Sequence, residues 1–186
     1  MQLKPESPPE RYSIMAETLT NRVAAAGLIT LKLEEQWPTA SFATFDLKDY
    51  LFMELILKEK DFRAALKEHD FSQYRDKILL VFCSADAIIP AWAYMLVAAA
   101  GGPFAADVYL GREEDFLRDH FRRVADSLDL SDFEGKRVVI KGCGEKPVPA
   151  SAYLDVTARL QPVVKSVMYG EPCSTVPVFK KPRETK

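Results

Sequence analysis

The sequence predicts an α/β protein built on a parallel four-stranded core in the order 2-1-3-4, assembled from two duplicated units, with an N-terminal helix and hairpin or edge strands beside it. Three observations carry this. Two short apolar runs, ILLVF ahead of Cys83 and RVVIKG ahead of Cys143, have the length and β-branched content of buried strands. Each is followed by a loop, a proline-led helical pattern and a further strand, and such crossovers are right-handed and make the paired strands parallel. Finally, residues 59–111 match residues 113–170 at many positions, the signature of an internal repeat.

Along the chain, residues 1–12 carry three prolines and several charges without apolar periodicity, and 180–186 are similarly polar, so both read as flexible tails around a single α/β domain at 13–179. From Ser13, the residues Ile14, Leu19, Val23 and Ala26 keep helical spacing up to Gly27, a C-cap signal, which predicts the first helix. Leu28 to Leu33 and Ser41 to Leu47 read as strands flanking a turn at Trp37 and Pro38, forming a hairpin or an edge extension. Lys58 to His69 places Phe62, Ala65 and Leu66 on one helical face.

The repeat fixes the remaining elements. Glu59-x-Asp61-Phe62 is answered by Glu113-x-Asp115-Phe116, and Asp70-x-Ser72-x-Tyr74 with Lys77 by Asp129-x-Ser131-x-Phe133 with Lys136. Pro90 to Tyr94 corresponds to Pro149 to Tyr153, with proline where a first helical turn accepts it. The matching strands fall near 78–82, 106–110, 137–141 and 165–169. A pseudo-two-fold between the halves makes the two cysteine-bearing strands neighbours, so Cys83 and Cys143 lie side by side and Cys173 shares their sheet edge.

Composition narrows the chemistry. Lys plus Arg number 25 against 27 for Asp plus Glu, too balanced a charge for a nucleic-acid partner. The first residues lack the apolar core of a signal peptide and no later run is long enough to span a bilayer, which predicts a cytoplasmic protein with no membrane partner. Three cysteines in a reducing compartment are expected as thiols or ligands rather than disulfides.

Three thiolates at one edge suit zinc or an iron–sulfur cluster, because soft ligands select these over magnesium or calcium. The expected ligands are Cys83, Cys143 and Cys173, with Glu114, Asp86, Glu145 and Glu171 as candidates for a fourth ligand or a supporting contact. Asp86 competes as an N-cap of the helix near Pro90, and Glu114 as the start of the helix after Gly111. Lys141 and Lys146 are candidate anion contacts, while His69 and His120 read as exposed helix histidines. The function expected is metal binding, accessory to iron–sulfur or metal metabolism. A thiol- or metal-dependent hydrolase or transferase is the enzyme alternative, although no C-x5-R follows any cysteine and no GxGxxG is present. A non-catalytic structural or interaction domain is the third reading.

At CSADAIIPAWAYML, VVIKGCGEKPVPASAY and GEPCSTVPV the sequence resembles a bacterial family catalogued as domain of unknown function 2480, and the resemblance extends from about Ile14 to Phe179. It implies an uncharacterised cytoplasmic bacterial protein with its three cysteines inside the family's signature strings. It also implies partners among iron–sulfur assembly proteins, through the genes near which members are encoded.

Overall fold

The computed structural model describes residues 20–23, 28–142, 144–171 and 174–182. In chain order the elements are β1 (Thr20–Val23), β2 (Leu28–Leu31), β3 (Phe42–Asp46), α1 (Glu59–Glu68), β4 (Ile78–Phe82), α2 (Ala91–Gly101), β5 (Asp107–Leu110), α3 (Glu113–Asp126), β6 (Arg137–Ile140), α4 (Ala150–Leu160), β7 (Ser166–Glu171) and β8 (Ser174–Lys180). The chain divides into two compact units. One holds the residues up to Gln36, 124–147 and those from Tyr153 onward; the other holds 37–123 and 148–152.

The second unit is built on a wholly parallel sheet in the order β3-β4-β5. Its central strand is buried on both faces, which is why it reads as the unbroken apolar run ILLVF rather than an alternating one. Phe62 and Leu66 of α1 and Ala93 and Val97 of α2 join Leu79 and Val81 in one core. At Gly101 a Cβ would stand 2.8 Å from Leu79 Cδ2, so glycine lets the end of α2 seat directly on β4. Phe116 and Phe121 of α3 add aromatic edges, Phe116 meeting Phe42 at 5.5 Å and Phe121 meeting Trp37 at 6.3 Å.

The first unit holds a five-stranded mixed sheet in the order β1-β2-β6-β7-β8. Its middle three strands are parallel, with Leu31 opposite Ile140 and Ile140 opposite Tyr169, while β1 and β8 pair antiparallel at the two edges. Val138, Val139, Val156, Leu160 and Val167 form its buried centre.

The protein is therefore α/β, but the expected core order is corrected. The strands before Cys83 and Cys143 lie in different sheets, because each already has both hydrogen-bonding edges occupied: β4 by β3 and β5, β6 by β2 and β7. A strand with two partners has no free edge for a third, so the order 2-1-3-4 does not form. The same pairing removes the expected hairpin. Strands β2 and β3 go to separate sheets, and β3 alone realises the edge extension. Part of the expected N-terminal helix is strand β1; over four residues, helical spacing and strand alternation cannot be told apart. The rest of that helix, 13–19 and 24–27, lies outside the described residues.

Local geometry recurs at residue numbers differing by 59. The Asp76 N–H donates to Phe104 O as Gly135 N–H does to Val163 O, and the Ala106 N–H donates to Lys77 O as Lys165 N–H does to Lys136 O. Asp70 and Asp129 each accept the backbone N–H and the hydroxyl of the serine two residues on. Asp76 and Gly135 both adopt left-handed backbone, at φ 60° and 65°. At this spacing, however, Cys83 corresponds to Gly142, so the cysteines are out of step by one residue.

The left-handed turn gives a clean test. Nothing lies within 4 Å of a Cβ built at Gly135, so Gly135→Ala is expected to cost about 1–2 kcal/mol through backbone conformation alone. Asp76→Gly should shift the denaturant midpoint the other way. Urea titration reads both.

Candidate functional site

Parallel strands deliver their following loops to one sheet edge, and in the first unit that edge is polar and tied together. The Lys141 N–H donates to Leu31 O at 2.9 Å, continuing the ladder from β6 to β2. Beyond β2 a 3-10 turn at Leu33–Gln36 carries Glu34. One carboxylate oxygen of Glu34 accepts the Glu145 N–H at 3.0 Å, and the other lies 3.6 Å from Lys141 Nζ. Lys141 also stands 3.9 Å from Glu171 at the end of β7. Three strands thus hand their ends to one lysine between two carboxylates. Partly exposed pairs of this kind contribute at most about 1 kcal/mol each, so their effect is to hold the loops in place rather than to stabilise the fold.

Two loop glycines sit hard against neighbouring side chains. A Cβ at Gly142 would collide with the ring of Tyr169, and one at Gly144 with the carboxylate of Glu34. Tyr169 donates to Gly142 O at 3.5 Å and meets Tyr153 edge-on at 5.6 Å. At the margin, Lys32 pairs with Glu35 at 2.7 Å, and that hydrogen bond and charge hold its ammonium above the usual lysine range.

The corresponding edge of the second unit holds Cys83. Its half-buried thiol donates to Ala85 O at 3.5 Å. Burial raises the nearby Tyr94 phenol above its ordinary value. Asp46, at the end of β3, accepts the Ser84 N–H at 2.9 Å and the Lys48 N–H at 3.0 Å. Burial pushes the Asp46 carboxyl up, but bonds from Ser84 and Lys48 and the charge of Arg112 hold it, on balance, below the ordinary 3.8. A depressed carboxylate contributes stability that is present above its unfolded value and lost as pH falls through the lower folded one. Asp46→Ala is therefore expected to cost about 1–2 kcal/mol at neutral pH, with the difference from wild type closing at the acid end below that value. Thermal melts between neutral pH and the acid limb check it.

Of the residues predicted from sequence, the structure brings together Lys141, Glu145 and Glu171. Cys143 and Cys173 lie outside the described residues. Asp86 is exposed in the bend after Cys83, and it does not cap α2, whose N-cap Pro90 receives no side-chain bond. Glu114 stands exposed in the first turn of α3, the competing role anticipated for it. The Lys141 charge, expected to attract an anion, is engaged by two carboxylates; Lys146 is exposed.

Neither histidine is the exposed helical residue expected. His69 ends α1 half-buried, 3.2 Å from the Tyr50 hydroxyl and 2.8 Å from that of Tyr74, because the chain turns there into the next 3-10 helix and folds the ring inward. His120 is half-buried and stacks on Phe116 at 5.8 Å. Among the described residues, no three of His, Cys, Asp and Glu converge as a metal-ligand set.

Sequence reasoning missed Glu34, Tyr169 and Asp46. Glu34 follows β2, and only the pairing of β2 with β6 puts it beside Lys141.

The fold and its edges define an α/β protein with parallel strands whose carboxyl ends carry charged residues. Residues 17–181 match the model of the family described as Protein of unknown function (DUF2480), and the chain belongs to that family. No curated protein and no solved structure matches it. Among the described residues no helix is long and apolar enough to cross a membrane.

Proposed function

We propose that this protein binds a soft metal, zinc or an iron–sulfur cluster, through cysteine thiolates, and serves metal or iron–sulfur metabolism as an accessory protein of the bacterial cytoplasm with iron–sulfur assembly proteins as partners. The observation that carries the reading is the parallel pairing of β6 with β7. Their last paired residues before the loops, Ile140 and Tyr169, are register partners, and Cys143 and Cys173 follow them by three and four residues in the chain. The contact between Lys141 and Glu171 supports it, since these residues precede the two cysteines by two positions each. Two thiolates leave tetrahedral positions for Glu171, Glu145 or water, whereas Cys83, expected from sequence as a third ligand, belongs to the other unit and follows a strand of the other sheet. Thiols must lose their protons to bind as thiolates, so affinity should fall on acidification from pH 8 to 6. Metal analysis of protein purified without air and without added metal tests the proposal: stoichiometric zinc or iron supports it, and metal-free protein after anaerobic reconstitution defeats it.

The 59-residue recurrence of caps, left-handed turns and hydrogen bonds supports an origin by duplication, each copy contributing a helix, a buried central strand, a second helix and a second strand parallel to the first. The one-residue offset between Cys83 and Cys143 then reflects divergence of the loops. A second reading, an interaction domain, is favoured by exposed apolar surface on both units.

A further inference from the structure

The chain on either side of position 143 is gripped from two different strands. Before it, the Tyr169 hydroxyl of β7 donates to Gly142 O at 3.5 Å, and a Cβ at Gly142 would collide with the Tyr169 ring. After it, the Glu34 carboxylate accepts the Glu145 N–H at 3.0 Å and lies against Gly144 so closely that a Cβ there has no room. The second oxygen of Glu34 faces Lys141 at 3.6 Å, and Lys141 reaches on to Glu171 at 3.9 Å. Glu34 and Glu145 stand 111 positions apart in the chain, so their bond exists only because β2 pairs with β6.

Glu34 is firmly mounted. It stands in the 3-10 turn Leu33–Gln36 directly after β2, and Leu31 and Leu33 on either side of Lys32 are buried at 0% and 1% exposure. A group carried on packed residues holds its place, which is what a positioning contact requires. The bond it accepts is charge-assisted, the stronger kind.

We infer that Glu34 is a positioning residue of the proposed metal site. Its carboxylate fixes the backbone that follows Cys143 to the turn after β2, so the thiol is presented to the metal with little ordering left to do on binding. Glu34 has this task only where the metal-binding reading above holds, and it touches no metal itself. Contacts that merely orient ligands contribute about ten- to a hundredfold in metal affinity.

Zinc affinity of the full chain, or cluster retention after anaerobic reconstitution, tests this, with hydrogen exchange of the Glu145 amide as a second readout. Glu34→Ala should weaken binding by about tenfold or more. It should also speed exchange at Glu145 by about tenfold, through loss of a bond to a charged acceptor. Its melting temperature should stay within about 4 °C of wild type, since a partly exposed pair adds little stability. Glu34→Gln keeps an acceptor oxygen and should bind within about fivefold of wild type, the loss being confined to the ion pair with Lys141. If charge alone mattered, Gln would bind as weakly as Ala. Gly144→Ala should weaken binding in the wild-type background and cost less in the Glu34→Ala background, where the carboxylate it meets is gone. Wild type that takes up neither zinc nor a cluster defeats the metal-binding reading and this role with it. Wild type that binds metal overturns the role of Glu34 alone if Glu34→Ala binds equally well, if Glu145 exchanges at an unchanged rate, or if Gly144→Ala costs the same in both backgrounds.

Discussion

Phe62→Ala should lower stability by about 3–5 kcal/mol, the cost of removing a fully enclosed aromatic ring and leaving its cavity. Phe62 is 1% exposed, sits edge-on to Tyr50 at 5.3 Å and lies 6.2 Å from Trp92. It belongs to the stripe by which α1 is held, together with Leu66, and α1 has a polar opposite face that offers no alternative packing. Phe62→Leu keeps most of the apolar volume and should cost under about 1.5 kcal/mol. Denaturant titration followed by tryptophan fluorescence measures both, since Trp92 reports directly on the site. A loss below about 1 kcal/mol for the alanine variant would mean that the site collapses around the cavity, contrary to the packing described.

The second large effect concerns the thiols. Replacing Cys143 or Cys173 by Ser is expected to weaken zinc or cluster binding by about a hundredfold or more, because changing groups that merely support ligands already costs ten- to a hundredfold. A neutral hydroxyl replaces a thiolate poorly, and the double substitution should abolish retention through a chelating column. Competition against a chromophoric chelator, with circular dichroism to establish folding, separates lost ligation from lost structure. Retention of metal by the double variant at wild-type affinity would remove both residues from the site.

Much of the fold was legible because its signals are local. The runs ILLVF and RVVIKG announce buried strands, Pro90 and Pro149 open α2 and α4, and the matched spacing from Tyr94 to Gly111 and from Tyr153 to Gly170 sets the length of each crossover. What local signals do not contain is which strand edges meet. Leu28–Leu31 could pair with Phe42–Asp46 as a hairpin or separate from it, and apolar content is identical in both cases. The ten residues between them, including the 3-10 turn at Leu33–Gln36, exceed the two to five of an ordinary hairpin loop. That length was the available clue. It argues against a β2–β3 hairpin, but the pairing of β2 with β6, which puts Glu34 beside Lys141, is a long-range fact that no loop length contains.

Lys141, Glu145 and Glu171 were selected because they flank cysteines, and they do share one edge. Asp86 was chosen by the same reasoning but belongs to the other unit, at a bend that leaves it exposed. His69 defeated a helical-face argument because it ends its helix rather than continuing it, and a C-cap side chain can fold inward to reach Tyr50 and Tyr74.

The central claim, thiolate ligation of a soft metal, is tested most directly by X-ray absorption at the metal edge of zinc- or iron-loaded protein prepared without air. Sulfur scatterers are expected at about 2.3 Å, at least two per metal, with their number reduced when Cys143 and Cys173 are replaced by Ser. A spectrum containing only oxygen and nitrogen neighbours near about 2.0–2.1 Å, unchanged in the double variant, would contradict it.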